Sequence, residues 1–197
     1  KDLGNVGPDY SFGWGLIDAS KSLQLVSSSS YLESMLVNTG EFLDIAFNHP
    51  GGAIEISLVW TDPEGNPAVS QALVNDLDLI LISPQNINHM PWVLDPENPE
   101  YPATSGVNTR DNVEQVVVAN ADEGRWIIRI AASNIVQGPQ KFALVGNPLK
   151  GENIQNFTVL NDGTGLLQVS SITTQIAAPW INLSPSSLEV APGDSET

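Results

Sequence analysis

Two histidines, His49 and His89, are the only imidazoles in the chain. A Ser/His/Asp triad needs one held between a carboxylate and a hydroxyl. His49 stands beside the turn Pro50-Gly51-Gly52 and His89 within a Pro/Asn-rich stretch, and neither neighbours a G-x-S-x-G nucleophile phrase. Both read as solvated turn residues. Cysteine is absent, which removes disulfides, thiolate nucleophiles and thiolate zinc sites together. A glycosidase-type carboxylate pair is left open by sequence, since any two acids can meet in space, but no cleft signature supports one. The chain is expected to carry no catalytic site.

The most chemical motif is Asn75-Asp76-Leu77-Asp78-Leu79. On a strand Asp76 and Asp78 share a face, roughly 7 Å apart, while Leu77 and Leu79 turn to the core. Like charges so placed repel unless a cation or a hydrogen-bond donor lies between them. Oxygen ligands of this kind suit calcium, which takes six to eight of them. Asp62, Asp111, Asn112 and Glu114 are further oxygen donors in neighbouring motifs, so the candidate metal set is Asp76, Asp78, Asp62, Asp111, Asn112 and Glu114. The alternative is that Asp76 and Asp78 accept backbone N–H bonds from a loop and hold it in place.

Five tryptophans raise the question of sugar stacking. Trp60 and Trp126 alternate with aliphatic residues and read as core, and Trp14 belongs to a glycine-rich turn. Trp92, next to Pro91 and followed by Tyr101, forms the one pair that could be exposed together, although a loop residue tucked over the sheet edge is the expected reading of Trp92.

These residues must be carried by a folded body. At 41% apolar and 15% charged residues, the chain is too hydrophobic for a disordered tail. Its net charge of −16, from 23 acidic and 7 basic residues with no basic cluster, excludes nucleic acid and anionic membrane as natural partners. No apolar run approaches the ~18–20 residues of a membrane span.

Leu16, Ala19, Leu23 and Val26 recur at helical spacing after the turn region 8–15, predicting one helix, and the serines 27–30 read as a linker. From Tyr31 onward, short β-rich runs separated by Gly, Pro, Asn and Asp predict an antiparallel sandwich. The expected strands are Tyr31–Val37, Glu41–Asn48, Ile54–Thr61, Leu77–Ser83, Val113–Val118, Arg125–Ala131 and Lys141–Gly146. Residues 84–112 form a long excursion that is either functional or specially anchored. Beyond a polar boundary at 150–155, the runs Phe157–Asn161 and Leu166–Ile172 around Asp162-Gly163 suggest a hairpin, and Trp180–Leu183 and Leu188–Val190 add two short strands. The fold class is mainly β: an antiparallel β-sandwich or jelly roll with one N-terminal helix and an incomplete second β module. The expected divisions are 1–30, 31–149 and 150–197.

Residues 7–19, Gly7-Pro8-Asp9-Tyr10-Ser11-Phe12-Gly13-Trp14-Gly15-Leu16-Ile17-Asp18-Ala19, resemble the phrase that closes the catalytic domain of subtilisin-family serine proteases. Further on, Leu58-Val59-Trp60-Thr61-Asp62-Pro63, Leu73-Val74-Asn75-Asp76-Leu77-Asp78-Leu79, Asn112-Val113-Glu114, Gly124-Arg125-Trp126 and Gly138-Pro139-Gln140-Lys141-Phe142 follow in the order seen in the β-sandwich appended to many bacterial subtilases. That module is similar to the P domain of kexin- and furin-like convertases. The last module resembles Ig-like repeats of bacterial secreted proteins through Asn161-Asp162-Gly163-Thr164-Gly165 and Leu183-Ser184-Pro185.

The resemblance implies a secreted or cell-surface protease whose triad lies upstream. This chain would then be a non-catalytic accessory region that stabilises or docks to its own protease domain, with calcium sites common in such regions. A carbohydrate- or surface-binding module of a secreted protein is the second reading, so a polypeptide substrate and a cell-surface carbohydrate are the candidate outside partners. The helix, cut from its protease partner, is expected to pack against its own sandwich or a neighbouring copy.

Overall fold

A computed structural model describes residues 2–66, 68–69, 72–149, 159–160, 164, 166–169, 188–192 and 195–196. The chain divides into two compact units, Lys1–Gly151 and Glu152–Thr197. In the second unit, β9 (Val159–Leu160) pairs with β12 (Ser195–Glu196) and β10 (Leu167–Val169) with β11 (Leu188–Val190), all antiparallel. Among the described residues the pairing is therefore long-range, in place of the local hairpin expected there. The Asp162-Gly163 turn and Trp180–Leu183 lie outside the described residues.

The first unit is a β-sandwich built from one antiparallel ladder. Its strands are β1 (Tyr31–Leu36), β2 (Phe42–Trp60), β3 (Asp76–Ile82), β4 (Asn88–His89), β7 (Val113–Asn134) and β8 (Gln140–Gly146), in the order β1-β8-β2-β7-β3-β4. Two further short strands, β5 (Trp92–Val93) and β6 (Thr104–Ser105), pair inside the 84–112 excursion.

β2 and β7 correct the sequence reading. Each was expected as two strands, and each is one continuous strand, paired from Phe42↔Ala131 to Val59↔Val113. The glycines that read as strand ends instead bend the ladder. Gly51 and Gly52 hold φ near +94° and +106°, and a register shift between Gly52 and Ile54 adds a residue to β7. Across the bend the buried phase of β2 changes from Ile45 and Phe47 to Ile54, Ile56, Leu58 and Trp60. One leaf then holds β1, β8 and the end of β2 with the start of β7. The other holds the start of β2 and the end of β7 with β3 and β4. Leu36, Ile56, Phe142 and Leu144 from the first leaf share one core with Ile45, Leu79, Ile128 and Ile130 from the second. Trp60 and Trp126 lie in that core, as their alternation required.

The helix forms as Ala19–Ser27, with the Asp18 carboxylate accepting from Lys21 N–H as its N-cap. The serines after it are not a free linker. Ser28, Ser29 and Ser30 donate backbone N–H bonds to Gln24, Val26 and Leu25 carbonyls, with Ser29 at φ +53°. Ser30 is buried and accepts from Gly146 N–H, tying the helix exit to β8. Upstream, Asp9 organises the glycine-rich turn by accepting from Phe12, Ser11 and Asn5 N–H. The Phe12 N–H, helped by the other two, holds that carboxyl below the ordinary aspartate range against its desolvation.

The expected docking of this segment is met only in part. No residue of the helix is buried. Tyr10, Phe12, Leu23 and Val26 are all at least half exposed, and Ile17 is 94% exposed.

A candidate polar cluster at the strand starts

Three polar residues occupy core phases at the beginnings of strands. Asn75 leads the inward series Leu77, Leu79, Leu81; Glu114 leads Val116; Gln140 leads Phe142 and Leu144. All three are buried, Asn75 and Glu114 completely. A buried polar group is stable only with partners, and Asn75 has a full set. Its Oδ1 accepts from Val136 and Gln137 N–H at 2.8 and 2.9 Å, and its Nδ2 donates to Gln137 O and Gln140 Oε1 at 2.7 and 2.8 Å. Its carbonyl accepts from Trp60 Nε1, and Gln140 Nε2 donates on to the Thr61 and Lys141 carbonyls.

The candidate ligands converge around this hub and play different parts. Asp62 accepts from Val74 and Asn75 N–H at 2.7 and 2.8 Å, so it holds the segment that leads into β3. Asn112 donates to the Trp60 carbonyl, and Asp111 accepts from Asn108 Nδ2. Asp76 and Asp78 alternate with fully buried Leu77 and Leu79, as predicted, and Asp78 Oδ2 accepts from Ser133 Oγ. Glu114 reaches from the first leaf to the backbone of β3, where its Oε2 accepts from Leu79 N–H at 2.5 Å.

Two carboxylate oxygens are left over. Asp76 Oδ1 and Glu114 Oε1 are shielded from solvent and have no hydrogen-bond partner. Burial, then the negative charges of Asp78 and Asp62, push the Asp76 carboxyl up to about 6. Burial pushes Glu114 up to about 9; the Leu79 N–H opposes this, and Asp78, Asp76 and Asp111 reinforce it. At neutral pH Glu114 is a protonated acid. Among the described residues, no three His, Asp or Glu side chains are gathered as a metal-holding group as they stand.

The histidines take up another place. His49 and His89 flank Trp126, with ring centroids 6.5 and 5.5 Å away, and both are half-buried. They are packing residues of the bend and not solvated turn residues. Trp92 and Tyr101 are not exposed together: Tyr101 is exposed, whereas Trp92 is tucked in, its half-buried ring lying against Gly7.

No protein-family model matches the chain. It is 32% identical over 158 residues, 70% of its length, to the serine protease/ABC transporter B family protein tagA of Dictyostelium discoideum. It is 32% identical over 107 residues, 52% of its length, to tagB of the same organism and description. The chain is thus related to a segment of proteins named as serine proteases. It spans less than a tenth of those relatives, 8% of tagA and 5% of tagB. Among solved structures, the pre-peptidase C-terminal domain of a collagenase from Bacillus anthracis is similar over 59% of this chain and 87% of that one. Identity there is 14% and the TM-score 0.36, too low to carry an inference.

Asn75 and Gln140, the best-connected members of the cluster, were not among the candidate site residues. The signal that marks them is phase. A polar residue in step with the inward aliphatics of its strand must be buried, and the same rule assigns Glu114 to the interior and not to a loop-facing ligand shell.

Proposed function

We propose that this chain is a non-catalytic C-terminal accessory region of a secreted, subtilisin-like serine endopeptidase, and that it stabilises the peptidase domain by docking to it. The observation that carries the reading is the apolar surface of Tyr10, Phe12, Ile17, Leu23 and Val26, left open beside a sandwich whose own core is complete. Five large apolar side chains left exposed within one stretch of chain, Tyr10 to Val26, point to an interaction face. The kinship with a segment of proteins named serine proteases supports a peptidase as the partner.

The reading has two tests. The reading frame upstream of Lys1 is expected to encode a subtilase serine motif, and its absence would sink the parentage. The peptidase domain encoded there, purified separately, is expected to bind the chain. Each of the substitutions Tyr10→Asp, Phe12→Asp and Leu23→Asp should weaken that binding roughly ten- to a hundredfold, since burying one such side chain contributes ~1.5–3 kcal/mol.

Calcium is a second element of the proposal, favoured by the two orphaned oxygens. Asp76 and Glu114, with Asp78 released from Ser133, would hold the ion, and Asp62, Asp111 and Asn112 would keep the surrounding loops in place. A cation there would neutralise carboxylates that otherwise require protons. Millimolar calcium at pH 8 is expected to raise the Tm, a chelator to reverse the gain, and the double substitution Asp76→Asn/Asp78→Asn to abolish it. A Tm indifferent to both calcium and chelator discards the site.

A further inference from the structure

The N-terminal segment crosses the outer face of the first leaf without closing on it, leaving a groove of about 480 Å³. That volume lies in the range of small-ligand sites. Two indoles, Trp14 and Trp92, line it. Trp92 is fixed in place by Gly7, where an added Cβ would come within 3.0 Å of the ring. The floor combines apolar and polar side chains. Val59 and Val117, each 39% exposed, give it apolar surface on what should be the wet side of the sheet. Beside them Gln115, directly across from Ser57 on the neighbouring strand, donates to Ser57 Oγ at 3.2 Å and to Glu55 Oε1 at 3.4 Å. Trp92 Nε1–H is removed from solvent and has no acceptor.

We propose that this groove binds a neutral saccharide, with pyranose faces on the Trp14 and Trp92 indoles and hydroxyls on Glu55, Ser57 and Gln115. A pyranose offers an apolar face of C–H bonds and a rim of hydroxyls that both donate and accept. The floor matches this with a carboxylate acceptor, a carboxamide that does both, and a hydroxyl. Charge selects the class: Asp2 and Glu55 outnumber Lys21 around the groove in a chain of net charge −16, so an anionic sugar is repelled. A proline-rich peptide also seeks indoles, but it presents carbonyl acceptors, which the Glu55 carboxylate cannot serve. The site is independent of the docking surface proposed above, which uses none of these side chains.

Affinity electrophoresis of the chain in gels containing a soluble β-glucan, a galactomannan or an α-glucan tests the proposal, with polygalacturonate as the anionic comparison and a proline-rich peptide as a competitor. At least one neutral polysaccharide is expected to retard the chain and shift its tryptophan fluorescence, while polygalacturonate does neither. Trp92→Ala should abolish retardation. Gln115→Ala, a substitution on the outer face that leaves the core intact, should weaken it about tenfold at unchanged Tm. Migration unaffected by every polysaccharide, retardation unchanged in both variants, or displacement by the peptide overturns the proposal.

Discussion

Replacement of Asn75 by alanine is expected to cost ~2–4 kcal/mol, a large share of the stability of the first unit. The substitution strands the Gln140 Oε1 in the interior and removes the partners of the Val136 and Gln137 N–H groups and the Gln137 carbonyl, which lie at its part-buried rim. Each buried orphan costs ~1–3 kcal/mol, against a total stability of ~5–15 kcal/mol for an ordinary domain. Asn75→Asp should be no better. It keeps the two acceptor contacts but turns an oxygen toward Gln137 O and Gln140 Oε1, and it adds charge beside Asp62. Urea denaturation measures the loss. A cycle with Gln140→Ala should show coupling, because the two side chains bond directly. A cost below 1 kcal/mol for Asn75→Ala would show that the cluster is not the clasp of the sandwich.

Glu114→Gln is expected to have the opposite sign at alkaline pH. The native Glu114 carboxyl, at about 9, keeps a proton that the unfolded chain releases near its ordinary value of 4.5. Its contribution to stability is therefore complete below about pH 4.5 and is lost as pH rises toward 9, with a slope of at most ~1.4 kcal/mol per pH unit. Asp76, raised to about 6 by burial and by the charges of Asp78 and Asp62, acts in the same direction over its own, more acidic window from about 3.8. In calcium-free buffer the protein should therefore lose stability from pH 5 to pH 9. Glutamine retains an acceptor for the Leu79 N–H, requires no proton, and brings donors to a cluster rich in acceptors. The variant should be more stable than the parent at pH 8 and nearly flat between pH 6.5 and 9, while keeping the acid-side slope of Asp76. Parallel profiles for the two proteins would mean that Glu114 does not titrate in this window. The calcium test is separable, because a bound cation would flatten the profile of the parent and leave Glu114→Gln unresponsive.

The sequence was informative wherever a property is local. Period-two alternation placed Ile54, Ile56, Leu58, Trp60, Trp126, Ile128 and Ile130 inside, and all seven are buried. Helical spacing found the helix, and the Asp76/Asp78 face opposite Leu77/Leu79 followed from strand geometry alone. The breaks set at Pro50-Gly51-Gly52 and near Gly124 were misplaced for a physical reason. Glycine with positive φ ends a strand whose partner also ends, but two strands that bend together keep their hydrogen bonds through the turn. Composition along one strand does not reveal that its partner bends at the same level.

The polar cluster divides in the same way. The amino-acid sequence by itself determined which residues point inward, and with them that Asn75, Glu114 and Gln140 are polar groups in need of buried partners. Tertiary structure alone decided who those partners are: Asn75 meets Gln140 across 65 positions, and Glu114 meets Leu79 across 35. It also decided that Asp62 holds the segment leading into β3, and that Trp92 faces a groove shared with Trp14 and not with Tyr101. Alternation is fixed by the geometry of one backbone, whereas the pairing of buried polar groups is fixed by which strand ends the folded ladder brings together.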